Sequence, residues 1–465
     1  MNYLHAALAF VVAMILAAGL TPLAARFARR VGAIAMPRER GLAERMTPML
    51  GGLAILAGVL VAGGLWLPGT IKLPHTAHTH AGPGGTVHTW AILAGACLIT
   101  AVGAIDDWRN LPPVLKLVGQ VGAAVIAVEG GAVVTDVTLP FVGALQFPHE
   151  GGFLTVLWLV GLMNVVNFSD GVDGLAAGLC AIDGVAFSVI AFDLHVPGAA
   201  ILAALTAGAS LGFLVHNFHP ARVFMGDSGA NLLGYLLGVA AVVGSLKTNV
   251  VVALVVPLVI LAVPFLDTGF VIAKRLKYRR KVWLADANHF HHRMARIGFS
   301  QRKTVAYLYG WTLLLAGVAV ALRFVPYSVH VGGQHHYRAG WLAFMIGLGV
   351  VAIAASVYLV YVLEILKFKS FRARELREAD PGTSEHEIDV QVARELETGE
   401  FERVEVDAEV PEPGGGADGG VARGPAGRAD GGVARGAAGG SVGEAAGPAR
   451  RGTSGRPSQT AGRPR

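Results

Sequence analysis

The stretch Asn164–Gly174 reads NVVNFSDGVDG and follows the apolar run Phe153–Met163. Asn164 and Asn167 are three apart, as are Asp170 and Asp173. On a helix that spacing puts each pair on one face. Gly171 and Gly174 permit turn geometry and close approach of a ligand. A helix-ending turn explains one Asp-Gly step but explains the doubled spacing poorly. Three more polar clusters interrupt apolar sequence. They are GAIDDW with Asp106 and Asp107, HPARVFMGDSGAN with Asp227, and ADANHFHHRM with His289, His291 and His292. Adjacent carboxylates repel, and one tends to stay protonated unless a cation is near; magnesium is a hard cation that favours oxygen ligands. Asp106–Asp107 suits such an ion, although a helix end meeting water accounts for the pair equally well. Gly226 and Gly229 flank Asp227 ahead of another apolar run. Amides at a helix start favour an anion, and an aspartate there can hold a metal beside it. An ordinary helix cap explains the same stretch. The histidines have no cysteine with them to build a zinc centre. In their basic loop they either donate hydrogen bonds to a diphosphate or are simply solvated.

These residues must be positioned by a largely apolar chain. Hydrophobic residues make up 53% and charged residues 15%, and the mean hydropathy is +0.54. That composition points to a polytopic membrane protein. The pI near 9.4 comes from basic residues clustered between apolar runs, which argues for a membrane protein and against a nucleic-acid partner. Cys97 and Cys180 both lie in apolar runs, so no disulfide framework is expected. The first apolar run has no small-residue cleavage site after it and reads as a true span.

A span needs roughly 20 mostly apolar residues. About eleven runs qualify: 3–25, 50–67, 89–105, 114–130, 152–168, 174–193, 198–216, 228–246, 249–272, 304–324 and 340–363. The fold class is therefore an all-α polytopic integral membrane protein. Arginines 26, 29, 30, 38, 40 and 45 follow the first run, and a denser basic loop from Lys274 to Lys303 follows the ninth. The opposing loops hold only Lys72, Lys247, Arg323 and Arg338. By the positive-inside rule the basic loops are cytoplasmic, the N-terminus is outside and the C-terminus inside. All four polar clusters then fall on the cytoplasmic face, and a single composite site is the economical explanation. A basic, magnesium-ready face at a membrane surface suits a phosphorylated substrate, since phosphoryl transfer is largely positioning plus charge neutralisation.

Residues 1–368 form the transmembrane domain, 369–410 a charged cytoplasmic segment and 411–465 a Gly/Ala/Arg-rich tail. The octamer ADGGVARG occurs twice in that tail, which lacks the apolar residues to build a core and reads as disordered. Asp183 lies near the middle of the sixth run, where a bare charge costs roughly 2.5–3.5 kcal/mol or more. It is expected either to be protonated or to be hydrogen-bonded to Thr206 or Ser210 on the seventh run. His75, His78, His80 and His88 lie in an outer loop that reads as solvated.

Taken in order, TPMLGG (47–52), GAIDD, LPPVLKLVGQ, NVVNFSDGVDGLAAG, HPARVFMGDSG, PFLDTGF and HFHHRM are highly specific. From about residue 30 to 310 the chain resembles the polyprenyl-phosphate N-acetylhexosamine-1-phosphate transferases. The resemblance implies transfer of a sugar 1-phosphate from a UDP-N-acetylhexosamine to a polyprenyl phosphate such as undecaprenyl phosphate. UMP is released, and the lipid-linked product starts a cell-envelope glycan. It implies magnesium, with manganese as a substitute, and a place in the bacterial plasma membrane. A homodimer is compatible with it.

By match to the family motifs, Asp227 is the principal metal ligand, with Asp106 and Asp107 as the catalytic pair beside it. Asp106 is a candidate base for the lipid phosphate. Asn164, Asn167, Asp170 and Asp173 line the nucleotide-sugar site, with either Asp170 or Asp173 touching substrate. Phe224 matches an aromatic on which uracil stacks, and Lys116 a lysine near the phosphates. His289, His291 and His292 match the motif of the branch that uses UDP-GlcNAc. The branch that transfers phospho-MurNAc-pentapeptide has a longer histidine run ending in an acid. The first cytoplasmic loop departs from the family pattern, with Ala35 and Met36 ahead of Pro37 and with Met49 where arginine is frequent. Other UDP-hexosamines, the pentapeptide donor, an inactive lipid-binding relative and a secondary transporter are the alternative readings. A transporter places its polar residues near the midplane, and here only Asp183 lies there.

Overall fold

Among the described residues, ten apolar or mixed segments fold as helices. The computed structural model describes residues 3–35, 46–72, 85–134, 136–139, 143–147, 149–245, 300–326, 328–331 and 334–358. Its helices are α1 (Tyr3–Val31), α2 (Gly51–Trp66), α3 (Thr89–Arg109), α4 (Pro113–Glu129) and α5 (Gly151–Ser169). They continue with α6 (Leu175–Asp193), α7 (Pro197–Asn217), α8 (Gly226–Ser245) and α9 (Gln301–Phe324). The last is α10 (Ala339–Tyr358). Each falls on one of the runs expected to span a membrane. The expected run 249–272 lies outside the described residues. So do His289, His291, His292, the first-loop positions 36–45, the outer histidines 75, 78 and 80, and the chain beyond 358.

Among the described residues, eight helices are long and apolar enough to cross a membrane, and the protein is a mostly helical, multi-pass membrane protein. Helix α2, with 16 residues, and α4, with 17, are shorter. At 1.5 Å per residue they reach about 24–26 Å, less than a hydrocarbon core of about 30 Å. The expectation of an all-α chain needs one amendment. Four short antiparallel hairpins join helices: Ile34–Ala35 with Thr47–Pro48, Thr70–Lys72 with Thr86–His88, Asp136–Leu139 with Gly143–Gln146, and Ser328–Val331 with Gln334–Tyr337. Pieces of two to four residues are too short to show alternation in the sequence.

Small residues hold the bundle together. Ala6, Ala9, Ala13 and Ala17 are buried along one face of α1, at the spacing that keeps them on one stripe. Helix α7 lies on that stripe. A Cβ on Gly208 would sit 2.1 Å from the Phe10 carbonyl oxygen, and one on Gly212 would sit 2.1 Å from that of Met14. Lipid tails are as apolar as leucine, so close backbone approach is a principal means by which such helices bind one another. The opposite face of α1 exposes Leu4, Leu8, Val11 and Ile15, as a lipid-facing surface must.

Local signals then set the turns at one end of the bundle. Asn110, with φ 51°, ends α3, and Pro113 starts α4 at its first position. The connection is therefore only residues 110–112. Gly174, with φ 79°, starts α6. Ser300 caps α9 by accepting from the Lys303 amide at 3.4 Å. The carboxyl ends of α1, α3, α5 and α7 and the amino ends of α2, α4, α6, α8 and α9 meet at this end.

Candidate metal and phosphate site

Carboxylates from two helix ends meet where α3 finishes and α8 begins. Asp106, Asp107 and Asp227 each offer an oxygen within 4.8 Å of the others. The short turn after Asn110 folds α4 back, so Lys116 returns to the same place. Its Nζ is 2.5 Å from Asp106 Oδ2 and 3.0 Å from Asp227 Oδ2. Asp106 Oδ1 also accepts from the Leu111 amide at 2.6 Å, which fixes that carboxylate against the turn. Among the described residues Lys116 is the one cation paired with this cluster. Three carboxylates against one ammonium leave negative charge for a hard, oxygen-seeking divalent cation, and the oxygens of Asp106 and Asp227 fit magnesium.

Asp107 is engaged differently from its neighbour. Its Oδ1 accepts from the Asp227 amide at 2.8 Å, and its Oδ2 from the Ser228 amide at 3.2 Å and the Ser228 hydroxyl at 2.7 Å. Asp227 Oδ2 meets Lys116. The Asp227 carboxylate thus meets side chains alone, Lys116 and the neighbouring Asp106.

The adjoining loop 218–225 is fastened on three sides. Asp173 Oδ2 lies 2.9 Å from His219 Nδ1 and accepts from the Ala221 amide at 2.9 Å. Asn217 donates to the Val223 carbonyl at 3.0 Å and accepts from the Gly174 amide at 3.0 Å. On the far side the Phe224 amide donates to the Pro48 carbonyl at 2.9 Å, and Gly51 donates back to the Phe224 carbonyl at 3.1 Å. The motifs TPMLGG and VFMGDSG are thus laced together through their backbones. Helix α9 closes the fourth side, with Tyr309 Oη donating to the Gly174 carbonyl at 2.6 Å.

The expected nucleotide-sugar residues divide into two sets. Asp173 organises the loop, and one of its oxygens carries that load. Asp170 is half-buried and makes no side-chain hydrogen bond among the described residues. Desolvation, then the charges of Asp227, Asp107 and Asp173, push its carboxyl well above the usual carboxylate range. Asn167 and Phe224 are half-buried at the same end, and the Asn167 side chain is likewise without a hydrogen bond among the described residues. Asn164 is turned into the bundle. Its amide donates to Gln120 Oε1 at 2.9 Å and to the Val160 carbonyl at 2.8 Å.

That contact belongs to a relay whose other members sequence reasoning missed. Gln120 Nε2 donates to Asn231 Oδ1 at 2.8 Å, and Asn231 Nδ2 donates to the Asp227 carbonyl at 2.8 Å. The available signals were an amide interrupting the fourth apolar run and another four residues after Asp227. At Asp183 one of the two expectations, a hydroxyl partner on α7, is not met. The residue is 1% exposed, and both its oxygens lack a partner. Thr206 and Ser210 instead bond back to the Leu202 and Thr206 carbonyls of their own helix.

A multi-pass bundle carrying a lysine-bridged carboxylate site at one end belongs with membrane enzymes that handle phosphorylated substrates. Residues 89–245 match the profile of glycosyl transferase family 4, which takes in α3 through α8 and every carboxylate described above. The chain is 33% identical over 321 residues to a probable undecaprenyl-phosphate N-acetylglucosaminyl 1-phosphate transferase of Bacillus subtilis, covering 68% of this chain and 84% of that one. It is 37% identical over 320 residues to a decaprenyl-phosphate N-acetylglucosaminephosphotransferase of Mycolicibacterium smegmatis, covering 64% and 77%. It is 32% identical over 321 residues to a phospho-N-acetylmuramoyl-pentapeptide-transferase of Desulforamulus reducens, covering 65% and 90%. This chain belongs to glycosyl transferase family 4 and is a phosphosugar transferase.

Proposed function

We propose that the protein transfers N-acetylglucosamine 1-phosphate from UDP-N-acetylglucosamine to a polyprenyl phosphate, releasing UMP. The observation that carries this reading is the meeting of Asp106, Asp227 and Lys116 at one end of an apolar bundle. The names of the Bacillus and Mycolicibacterium relatives support the sugar and the lipid. In the reaction an oxygen of the lipid phosphate forms a bond to the sugar-bearing phosphorus. The bond from that phosphorus to the bridging oxygen breaks, and its electron pair leaves with UMP.

The lipid phosphate is already an oxyanion at neutral pH, so little activation of the nucleophile is needed. Asp227 and Asp106 would hold magnesium, which would neutralise charge on the diphosphate and on the leaving UMP. Lys116 keeps its ammonium between the two carboxylates and turns it to a phosphate oxygen when substrate enters. Asp170 and Asn167, with uncommitted side chains, face the nucleotide sugar, and Phe224 stacks on uracil. His289, His291 and His292 donate to the diphosphate. The site faces the cytoplasm, with the N-terminus outside and the C-terminus inside, in a bacterial plasma membrane. The basic loops of the sequence support that orientation.

A second reading, transfer of phospho-MurNAc-pentapeptide, is favoured by the Desulforamulus relative. Purified protein in detergent, with undecaprenyl phosphate, magnesium and each UDP-sugar in turn, separates the two. UMP from UDP-N-acetylglucosamine alone is expected. UMP from the pentapeptide donor alone would assign the second reading.

A further inference from the structure

We infer that Asp107 is a positioning residue: its carboxylate caps the amino end of α8 and so sets Asp227, and it is neither a metal ligand nor the base. The inference rests on the phosphosugar-transferase reading only for its activity readout.

The first amides of any α-helix have no partner within the helix, and a side chain just ahead of the first turn usually accepts from them. Here that side chain is Met225, whose thioether is only a weak acceptor. Asp107 takes that part from a different helix, 120 residues earlier in the chain. Its two oxygens receive the Asp227 amide, the Ser228 amide and the Ser228 hydroxyl. A carboxylate at this end also meets the positive end of the helix dipole.

The backbone is shaped to admit it. Gly226 has φ 69°, and a Cβ there would lie 2.3 Å from Asp107 Oδ2. A Cβ on Gly103, one turn back along α3, would lie 2.5 Å from the Ser228 Cα. No residue but glycine lets α3 and the start of α8 touch this closely.

Lone pairs then separate the roles of the three carboxylates. Both lone pairs of Asp107 Oδ2 are used, and one on Oδ1. Asp227 accepts no backbone amide among the described residues and meets only the side chains of Lys116 and Asp106. The peptide groups of Asp227 are held from both directions, its N–H by Asp107 and its carbonyl by Asn231. Asp107 therefore acts through Asp227, by fixing where that carboxylate points.

The test compares Asp107→Asn, Asp107→Ala and Asp227→Asn in purified full-length protein. Each is followed by UMP release and by Mn2+ binding in electron paramagnetic resonance titrations, with thermal melting as a folding control. Asparagine is itself a good helix cap, so Asp107→Asn keeps turnover within roughly tenfold of wild type, while Asp107→Ala falls by roughly a hundredfold or fails to fold. Mn2+ affinity changes less than about threefold in Asp107→Asn and falls more than about tenfold in Asp227→Asn. Loss of turnover in Asp107→Asn, or weakening of Mn2+ binding to match Asp227→Asn, would overturn the proposal. If wild type releases no UMP, the functional reading fails by itself, and the Mn2+ titration still decides the role of Asp107.

Discussion

Lys116 Nζ lies 2.5 Å from Asp106 Oδ2, across the three-residue turn that joins α3 to α4. The same ammonium is 3.0 Å from Asp227 Oδ2 on α8. One cation therefore bridges two carboxylates from different helices, whose oxygens lie within 4.8 Å of each other. Lys116→Met leaves those carboxylates facing each other with nothing between them. Turnover is expected to fall by roughly a hundredfold or more, since truncating one member of a partly buried pair leaves its partners uncompensated. Steady-state UMP release measures it. Near-wild-type turnover would remove Lys116 from the site.

The relay from Asn164 through Gln120 to Asn231 makes a different prediction. Gln120 is 4% exposed and joins two other helices. Gln120→Leu strands an amide on each side, at about 1–3 kcal/mol per unsatisfied group. Asn164→Ala removes only one end of the chain. Both variants should lower the melting temperature and leave KM for the UDP-sugar within about twofold. A raised KM at unchanged melting temperature would return Asn164 to the substrate-binding set.

The helices and the acidic residues could be read in the sequence because each announces itself locally. An apolar run of span length has few other meanings, and a carboxylate at its end stands out against it. Asp106, Asp107 and Asp227 were legible as a group for that reason. Their division of labour was not. That Asp107 meets the first turn of α8 depends on the packing of two helices 120 residues apart. The Gln120–Asn231 bond spans 111 residues in the same way. Of the two expectations for Asp183, protonation or a hydroxyl on α7, the second fails because Thr206 and Ser210 satisfy themselves within their own helix.

Asp170 and Asp173 looked equivalent in sequence and now separate. Asp173→Ala frees His219 and the Ala221 amide, so loop 218–225 should loosen, with faster proteolysis there and a lower melting temperature. Asp170→Asn breaks no hydrogen bond among the described residues. It should melt near wild type and lower kcat/KM for UDP-N-acetylglucosamine by roughly tenfold or more. The opposite pattern would exchange the two roles.

Asp183 carries a stability prediction. Both oxygens are buried without partners, and a buried polar group left unpaired costs about 1–3 kcal/mol on mutational scales. Asp183→Leu should hold or raise the melting temperature, with turnover changed less than about threefold. A large loss of turnover in a well-folded variant would give Asp183 a part in function.

The most direct test sets wild type beside Asp227→Asn, each purified in detergent with undecaprenyl phosphate, UDP-N-acetylglucosamine and magnesium, and follows UMP. Wild type should release UMP. Asp227→Asn, melting within a few degrees of wild type, should release it at least about a thousandfold more slowly, as expected when a metal ligand at the reacting phosphates is lost. UMP release at equal rates, or none from wild type, would contradict the account.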